Sequence, residues 1–365
     1  MTSFFHSLSL SRSLSNSLEV SLTTIALTYF PWDTLVGSGL LDMCVLLHDS
    51  SACASHLTSP RRHKLRRSTI LAGIACAIRP TNAIIWIYMF SILLWHVRGN
   101  AKLSLYILRD TVCIGSVLAL LPCEVSFDVS PSSTILLTLY MLDTWFYGRS
   151  TLTLMNFLRV NASPVSSFYG SSPWHYYFLQ AFPILCTSAL PFVLHGFWLA
   201  FAKHGSKLHI MAGCIGWTVF IYSLIGHKEW RFLHPLLPMM HILAAESIVK
   251  LIHSQEANPT PRAPATWNRP LFVIPLILSI SIPASVYVVF FHCTGQIKVM
   301  SFLRQLPVDN STTIGFLMPC HSTPWQAYLH RPDLAQPGRM WALGCEPPLG
   351  YAVILSWLSV IMLSR

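Results

Sequence analysis

The sequence predicts an all-α protein that crosses a membrane several times. Hydrophobic residues make up 53% of its 365 positions and charged residues only 10%, and the mean hydropathy is +0.52. Because soluble domains carry about 25% charged residues, this chain could not cover a globular core with polar surface. Helices are the expected spans, since a helix satisfies its own backbone hydrogen bonds inside a bilayer.

The excess of positive charge indicates membrane topology rather than nucleic-acid binding. The formal net charge is +10, and the basic residues cluster in short segments between apolar runs. In such positions they set topology and contact anionic membrane lipids. The strongest segment is 61–67, with five Lys and Arg among seven residues, and it predicts a cytosolic loop. We expect no nucleic-acid partner.

The apolar runs give the order of the spans. After a shorter run at 18–30, they are 69–95, 103–121, 178–201, 208–225, 232–252 and 270–291. The 69–95 run is interrupted at 79–82 by Arg-Pro-Thr-Asn. A proline breaks the helical hydrogen-bond ladder, so we expect two helices or one sharply broken helix there. The count places 128–173, 227–232 and 293–346 on the lumenal side.

This reading divides the chain into three parts. They are a multi-spanning helical domain at 1–292, a lumenal segment at 293–348 and an apolar tail at 349–365. Two N-glycosylation sequons fall in regions predicted to be lumenal. We expect Asn310 to be the glycosylated residue, because a proline directly follows the other sequon, at 161–163.

The densest polar stretch is HKEWRF, residues 227–232, which lies between two apolar runs. Its four ionisable groups are costly next to a membrane unless they face water or a polar ligand. One interpretation is a solvated loop between helices, with Lys228 and Arg231 reaching the lipid headgroups. The other is a sugar or phosphate site, because aromatic rings suit the C–H faces of a sugar and charged groups strengthen hydrogen bonds to hydroxyls or phosphate. The residues alone leave both interpretations open.

Aromatic residues are dense in the lumenal region 128–173 and just after it. Such a density is typical of a membrane interface. The alternative is a lumenal amphipathic segment that helps to wall a glycan groove. In that case Tyr169, Trp174 and His175 are candidates for contact with the glycan.

HKEWRF resembles the HKExRF signature of the polyprenyl-phosphate-mannose-dependent mannosyltransferases, glycosyltransferase family 22. Other stretches narrow the resemblance to the branch of that family that acts on glycosylphosphatidylinositol (GPI) anchor precursors. They are DTWFYG at 143–148, SFYG at 167–170, PWHYY at 173–177, PCHSTP at 319–324 and RPT at 79–81.

The resemblance implies a GT-C fold, with many transmembrane helices and a site at the lumenal face of the endoplasmic reticulum membrane. The implied reaction moves a mannose from dolichyl-phosphate-mannose to the GPI-anchor precursor, a glycolipid, as its third mannose in α1,2 linkage. Inversion at the anomeric carbon needs a carboxylate to take the acceptor proton and cations to steady the departing phosphate. No cofactor and no metal ion is expected.

The resemblance also suggests roles for single residues. Lys228 or Arg231 would contact the phosphate, and Glu229 would orient a cation or a sugar hydroxyl. His227 would hydrogen-bond the phosphate or an acceptor hydroxyl. Arg79 is a second phosphate candidate.

Arg79 also has a purely structural interpretation. An arginine in the middle of an apolar run needs a partner. A backbone carbonyl or Asp143 could supply it, and the residues alone do not decide between this and a phosphate contact.

The sequence departs from the family pattern at both ends. The family's general base is expected in an acidic motif resembling His-Pro-Asp-Glu after the first span, and this chain has no such motif. Glu229 and Asp143 are the remaining candidates, whereas Glu19 and Asp33 are not expected to replace the base. The opening stretch 15–19 resembles one that the family places several spans in, and the apolar tail departs from a polar lumenal domain.

We therefore expect an N-terminally shortened relative whose activity is open. One alternative is a catalytically inactive remnant. The other is a membrane lipid or solute transporter, because helices broken in mid-membrane also suit that class. Internal inverted symmetry would favour a transporter, and none is visible in the sequence.

Overall fold

The computed structural model describes residues 15–36, 60–99, 101, 104–105, 107–108, 140–151, 156, 170–257, 269–309, 311–318 and 322–343. The α-helices are α1 Ser15–Tyr29, α2 Trp32–Leu35, α3 Pro60–Ile78, α4 Ala83–Val97, α5 Phe182–Cys186, α6 Leu190–Ala202, α7 Lys207–Leu224, α8 Leu237–Ala257, α9 Arg269–Phe290, α10 Gly295–Gln305 and α11 Gln326–Leu329. A π-helical turn covers Tyr177–Ala181, and 3₁₀ turns cover Pro80–Asn82, Thr187–Ala189, Trp230–Leu236 and Pro332–Leu334. The strands are β1 Ile314–Phe316 and β2 Met340–Ala342.

Five helical stretches of the described residues are long and apolar enough to cross a membrane. They are Pro80–Val97, Tyr177–Ala202, Lys207–Leu224, Trp230–His253 and Pro275–Gln305. The prediction of an all-α protein with several membrane spans is confirmed. The small sheet in the C-terminal part is the exception to the helical pattern.

The predicted helix break at 79–82 is present. α3 ends at Ile78, Arg79 is extended, and Pro80 begins a single 3₁₀ turn that leads into α4. A proline at the start of a turn removes no hydrogen bond, whereas in the interior of a continuous helix it would. The side chains of Arg79 and Asn82 are therefore placed at a junction between two helices.

The basic run 61–67 is helical, which corrects the predicted loop. It forms the first turns of α3, which begins at Pro60. Proline is favoured at the first helical position, and arginine, lysine and leucine are good helix formers, so nothing in this run ends a helix. Arg67 lies over the ring of Tyr29, with its Cζ atom 5.6 Å from the ring centroid.

Helix α1 packs along α3 and connects two chemically different ends of the structure. At its first turn, the side-chain amide of Asn16 donates to the carbonyl of Arg231 at 3.1 Å. Beyond its last turn, Asp33 accepts a hydrogen bond from the Lys207 ammonium at 3.0 Å. The HKEWRF stretch therefore lies near the N-terminal end of α1, and Lys207, predicted to be cytosolic, lies near its C-terminal end.

Helices α6 and α8 are in close contact. A Cβ atom at Gly196 would lie 2.2 Å from the carbonyl oxygen of Leu243, so the two backbones touch at this point. Nearby, the Nδ1 atom of His195 lies 2.7 Å from the Ser247 hydroxyl. Small residues allow this approach between membrane helices. Helix α7, which leads into the HKEWRF stretch, packs against both α6 and α8.

The chain divides into two compact units, Met1–Ile282 and Pro283–Arg365. In the second unit, α10 turns an apolar side inward, and β1 pairs in parallel with β2. The small core of this unit consists of Met300, Leu303, Phe316, Leu329 and Leu334. The predicted lumenal position of residues 293–348 stays a prediction.

Arginines hold the irregular backbone of this second unit. Arg331 forms an ion pair with Asp333, with Nη2 and Oδ2 2.6 Å apart, and also donates to the carbonyl of Leu306 at the end of α10. Arg339 donates to the carbonyls of Asp309 and Thr312, at 2.7 and 2.9 Å.

Several predicted features lie outside the described residues. They are most of the predicted span 103–121, the sequon at 161–163, Tyr169, Asn310 and the apolar tail 349–365.

Candidate functional site

The HKEWRF stretch forms a tight turn, which we call the HKEWRF turn (residues 227–232). It follows the end of α7 and continues into the 3₁₀ turn Trp230–Leu236, and Glu229 before that turn has an extended backbone with φ −133° and ψ 141°. A second segment, 170–173, lies beside it. The Ser172 N–H donates to the carbonyl of Gly226 at 3.1 Å.

Lys228 fastens these two segments together. Its ammonium donates to the carbonyl of Ser172 at 2.8 Å and to that of Ile225 at 2.6 Å. The residue is only 7% exposed, and burial lowers the pKa of its ammonium. Two of its three N–H donors are therefore used on backbone carbonyls.

Glu229 is the centre of the exposed side of the turn. Its Oε1 atom lies 3.0 Å from His227 Nε2 and accepts from Arg231 Nη2 at 2.8 Å. Its Oε2 atom accepts from Arg231 Nε. Burial alone would raise the pKa of the Glu229 carboxyl, but the hydrogen bonds from Arg231 and His227 and their charges outweigh it. The pKa is lowered overall, and the group is a carboxylate.

Each ring nitrogen of His227 lies next to an acceptor. Nδ1 lies 3.1 Å from the carbonyl oxygen of Gly170, and Nε2 lies 3.0 Å from Glu229 Oε1. The turn thus places an imidazole and a guanidinium on one carboxylate.

The ring of Phe232 joins this turn to the helix break. Its centroid lies 6.0 Å from that of His227 and 6.1 Å from that of Tyr222. The Cζ atom of Arg79 lies 5.9 Å from the same centroid, within cation–π range. The structure thus brings together HKEWRF and RPT, the two motifs separated most widely in the candidate site.

Arg79 is held by groups of α1. Its Nε atom lies 3.3 Å from Glu19 Oε2, and its Nη1 donates to Asn16 Oδ1 at 3.1 Å. The side chain of Glu19 is 2% exposed and that of Arg79 is 22% exposed. The sequence suggested Asp143 or a backbone carbonyl as the partner; the ion pair instead forms with Glu19, because α1 packs against α3 and turns this carboxylate toward the break.

A buried polar network continues from this ion pair into the helices. Asn82 Nδ2 donates to Glu19 Oε1 at 2.9 Å, and Asn82 Oδ1 accepts from the indole of Trp86 at 2.8 Å. The hydroxyl of Thr23 lies 3.0 Å from Asn82 Nδ2. We call Asn16, Glu19, Thr23, Arg79, Asn82 and Trp86 the α1 network.

Two aromatic candidates lie just after the 170–173 segment. Trp174 is 69% exposed, and its ring meets that of His175 edge to face at 5.6 Å. Its ring also lies 6.5 Å from that of Phe178. These rings follow the 170–173 segment directly in the chain. Tyr169, the third candidate, lies outside the described residues.

Asp143 lies on a helical segment at 140–147 and is partly buried. Its neighbours Trp145 and Phe146 are 80% and 73% exposed.

Sequence reasoning missed Asn16, Glu19, Asn82 and Tyr176. The signal for Glu19 was available, since a carboxylate inside an apolar run needs a polar partner. Tyr176 had no such signal. The pKa of its phenol is raised overall, mainly by burial and also by the charge of Glu229, although a hydrogen bond with the backbone of Trp230 lowers it.

The described helices and this polar site define a multi-spanning membrane protein with a cation–carboxylate cluster at one end of its helices. The sequence profile described as the Alg9-like mannosyltransferase family matches residues 1–330. The chain belongs to this family. Its helical, multi-spanning architecture fits the GT-C fold expected for it.

Curated relatives carry a more specific name. The chain is 34% identical to GPI mannosyltransferase 3 of Gibberella zeae, over 93% of this chain and 56% of the relative. It is 33% identical to the protein of that name in Debaryomyces hansenii, over 93% and 52%, and 28% identical to that in Saccharomyces cerevisiae, over 96% and 50%. The chain thus spans about half the length of the curated relatives it matches. No solved structure matches it.

Proposed function

We propose that this chain is a mannosyltransferase that acts on a GPI-anchor precursor in the endoplasmic reticulum membrane. Its donor is dolichyl-phosphate-mannose, and it forms the α1,2 linkage of the third mannose. One observation carries the proposal: in a chain of the mannosyltransferase family, a carboxylate holds His227 and Arg231 together beside the partly buried Arg79. The names of the relatives supply the GPI precursor as acceptor.

Arg231, rather than Lys228, is the better candidate for the donor phosphate. The Arg231 side chain is 45% exposed, and its Nη1 makes no hydrogen bond to the described part of the chain. Lys228 is buried and bonded to two carbonyls. A guanidinium also offers paired donors that match phosphate geometry. His227 is the second contact, through the imidazole ring that Glu229 orients.

The proposed chemistry is an inverting displacement. An acceptor hydroxyl oxygen attacks the anomeric carbon, the bond from that carbon to the phosphate oxygen breaks, and dolichyl phosphate leaves with the electron pair. The hydroxyl proton goes to a carboxylate base. Cationic side chains, without a cofactor or a metal ion, stabilise the leaving phosphate.

Glu229 suits the role of orienting group better than that of base. Its pKa lies below the ordinary value, and both of its oxygens already accept hydrogen bonds from Arg231. A weak base takes a proton poorly. Asp143 therefore remains the candidate base among the carboxylates singled out in the sequence.

The experiment uses microsomes that lack their own GPI mannosyltransferase 3. They receive the two-mannose GPI precursor and dolichyl-phosphate-mannose labelled in the sugar. The chain is tested alone, and also joined to the part of the Gibberella zeae relative that it does not match. We expect a three-mannose product whose labelled mannose is released by an α1,2-mannosidase. The Arg231→Gln variant should not form this product. Arg98→Gln is the matched control, since Arg98 lies over the Trp95 ring.

The outcomes separate the alternatives. Product from the joined form alone would mean that this chain needs the further part of the relative to act. No product from either form, at membrane levels equal to those of an active relative, would overturn the proposal. Movement of labelled lipid across vesicles without any product would support a transporter instead.

A further inference from the structure

Asn16 joins the two motifs of the candidate site through one side-chain amide. Its Oδ1 accepts from Arg79 Nη1 at 3.1 Å, and its Nδ2 donates to the backbone carbonyl of Arg231 at 3.1 Å. Only a side chain with both an acceptor and a donor can make these two bonds. We propose that Asn16 is a positioning residue, which sets the HKEWRF turn in register with Arg79.

Arg79, at one end of this connection, is also held by Glu19. Its Oε2 lies 3.3 Å from Arg79 Nε, and its Oε1 accepts from Asn82 at 2.9 Å. Asn82 is in turn bonded to the indole of Trp86 on α4. Arg79 is thereby connected to α1 through Glu19, and to α4 through Asn82 and Trp86. These contacts hold Arg79 in addition to its bond with Asn16.

The bond from Asn16 to Arg231 leads directly to the charged groups of the candidate site. The catalytic part of this inference rests on the proposed function. Asn16 holds the backbone of Arg231, whose guanidinium carries two hydrogen bonds to Glu229. Glu229 in turn orients His227. A shift of the Arg231 backbone would therefore move all three charged groups together.

Because these side chains are buried, the loss of one hydrogen bond between them is costly. Asn16 is 2% exposed and Glu19 is 1% exposed. A buried polar group that loses its partner cannot turn to water, so a partly formed network is strongly unfavourable. Removal of the Asn16 amide should consequently be felt at the turn.

A purely structural role is the competing explanation, and Thr23 offers a control for it. Thr23 lies on the same side of α1, is 0% exposed, and bonds to Asn82 at 3.0 Å. It belongs to the same network, but it bonds neither to Arg79 nor to the HKEWRF turn. Asn16→Leu and Thr23→Val each remove a buried polar group and keep the side-chain shape.

The first measurement is hydrogen–deuterium exchange of the detergent-solubilised protein, followed on peptides that cover residues 226–233. We expect Asn16→Leu to increase deuterium uptake there more than Thr23→Val does, because Thr23 bonds to Asn82 and not to the turn. Asn16→Asp is a second variant in case the leucine variant is not recovered. It keeps the acceptor for Arg79 and loses the donor to Arg231, and we expect increased uptake for it as well.

The second measurement is mannose transfer in the microsomal assay, in the form that makes product. We expect Asn16→Leu to lower turnover by roughly 10- to 100-fold, because small misplacements of catalytic groups cost this much. Thr23→Val should lower turnover less than Asn16→Leu does, since it leaves the bonds of Asn16 to Arg79 and Arg231 in place. Asn16→Gln, which keeps both amide functions, should recover part of the loss.

Two results would overturn the proposal. One is unchanged uptake in both Asn16→Leu and Asn16→Asp. The other is equal effects of Asn16→Leu and Thr23→Val on uptake and turnover, which would make Asn16 a structural residue only. If uptake responds as expected while no form of the wild type transfers mannose, the proposed function fails and the positioning role stands.

Discussion

The two cations of the HKEWRF turn differ in what surrounds them. Lys228 is 7% exposed and donates to the carbonyls of Ser172 and Ile225. Arg231 is much more exposed and bonds to Glu229. The first cation therefore holds the backbone of the turn, and the second is available to a ligand.

Lys228→Met should lower the stability of the protein, because Lys228 is buried and holds the backbone of the turn. The partly buried carbonyls of Ser172 and Ile225 lose their donor, and a buried carbonyl left unsatisfied costs about 1–3 kcal/mol of unfolding free energy at most. The measurement is the thermal unfolding midpoint in detergent. Lys203→Met is the matched control, because Lys203 forms an exposed pair with Glu246 at 3.4 Å, and such pairs contribute about 0–1 kcal/mol. Equal midpoints for the two variants would contradict this role of Lys228.

The sequence predicted the position of the site but not the division of work inside it. HKEWRF stands out by its charge between apolar runs, and RPT by its proline. The burial of Lys228 depends on the 170–173 segment, which lies far away in the chain. Glu19 was set aside as a candidate base, and its ion pair with Arg79 was not predicted. The two residues are distant in sequence, and only the packing of α1 on α3 brings them together.

At the scale of helices, the site depends on breaks and close contacts. The extended Arg79 and the 3₁₀ turn Pro80–Asn82 turn polar side chains toward α1. The HKEWRF turn has the same pattern, an extended residue, Glu229, followed by the 3₁₀ turn Trp230–Leu236. Helix α7 reaches this turn from a group of helices in which α6 and α8 touch at Gly196.

Gly196→Ala should weaken the contact between α6 and α8. The new Cβ atom would lie 2.2 Å from a backbone oxygen of Leu243, so the helices must move apart. Overpacking of this kind costs about 1–3 kcal/mol. Gly216→Ala on α7 is the control, because nothing lies within 4 Å of its Cβ position and alanine is the better helix former. A melting midpoint for Gly196→Ala at or above that of Gly216→Ala would show that the close approach is unimportant.

Sequence patterns predicted helices better than their ends. Pro80 correctly indicated the break between α3 and α4. The basic run 61–67 was predicted as a loop from its charge, yet its residues are good helix formers and continue α3. The strands β1 and β2 are three residues each, too short for a periodic pattern to reveal.

At the scale of the whole molecule, α1 separates two ends of different chemistry. Asn16, Arg79 and the HKEWRF turn lie at one end, and Lys207 lies beside Asp33 at the other. Positive charge marks the cytosolic side of membrane proteins. Arg67 of the basic run lies over Tyr29, at the same end of α1 as Lys207, so this end fits the predicted cytosolic side. The lumenal position of the candidate site stays a prediction.

Glycosylation at Asn310 provides a check of this orientation. We expect the protein from microsomes to move faster on a gel after endoglycosidase treatment. Asn310→Gln should abolish the shift, and Asn161→Gln should keep it, since a proline follows that sequon. Resistance of the wild-type protein to the enzyme would contradict the lumenal placement of residues 293–346.

We propose that Glu229 orients the charged groups that act on the donor phosphate. The direct test compares Glu229→Gln with Glu246→Gln in the microsomal transfer assay, using the form of the protein that makes product. Glu246 is the matched carboxylate, since it pairs only with the exposed Lys203 among the contacts described. We predict a loss of turnover on the order of 100-fold for Glu229→Gln and wild-type turnover for Glu246→Gln. Wild-type turnover in Glu229→Gln, at equal membrane levels, would contradict the assignment of the site.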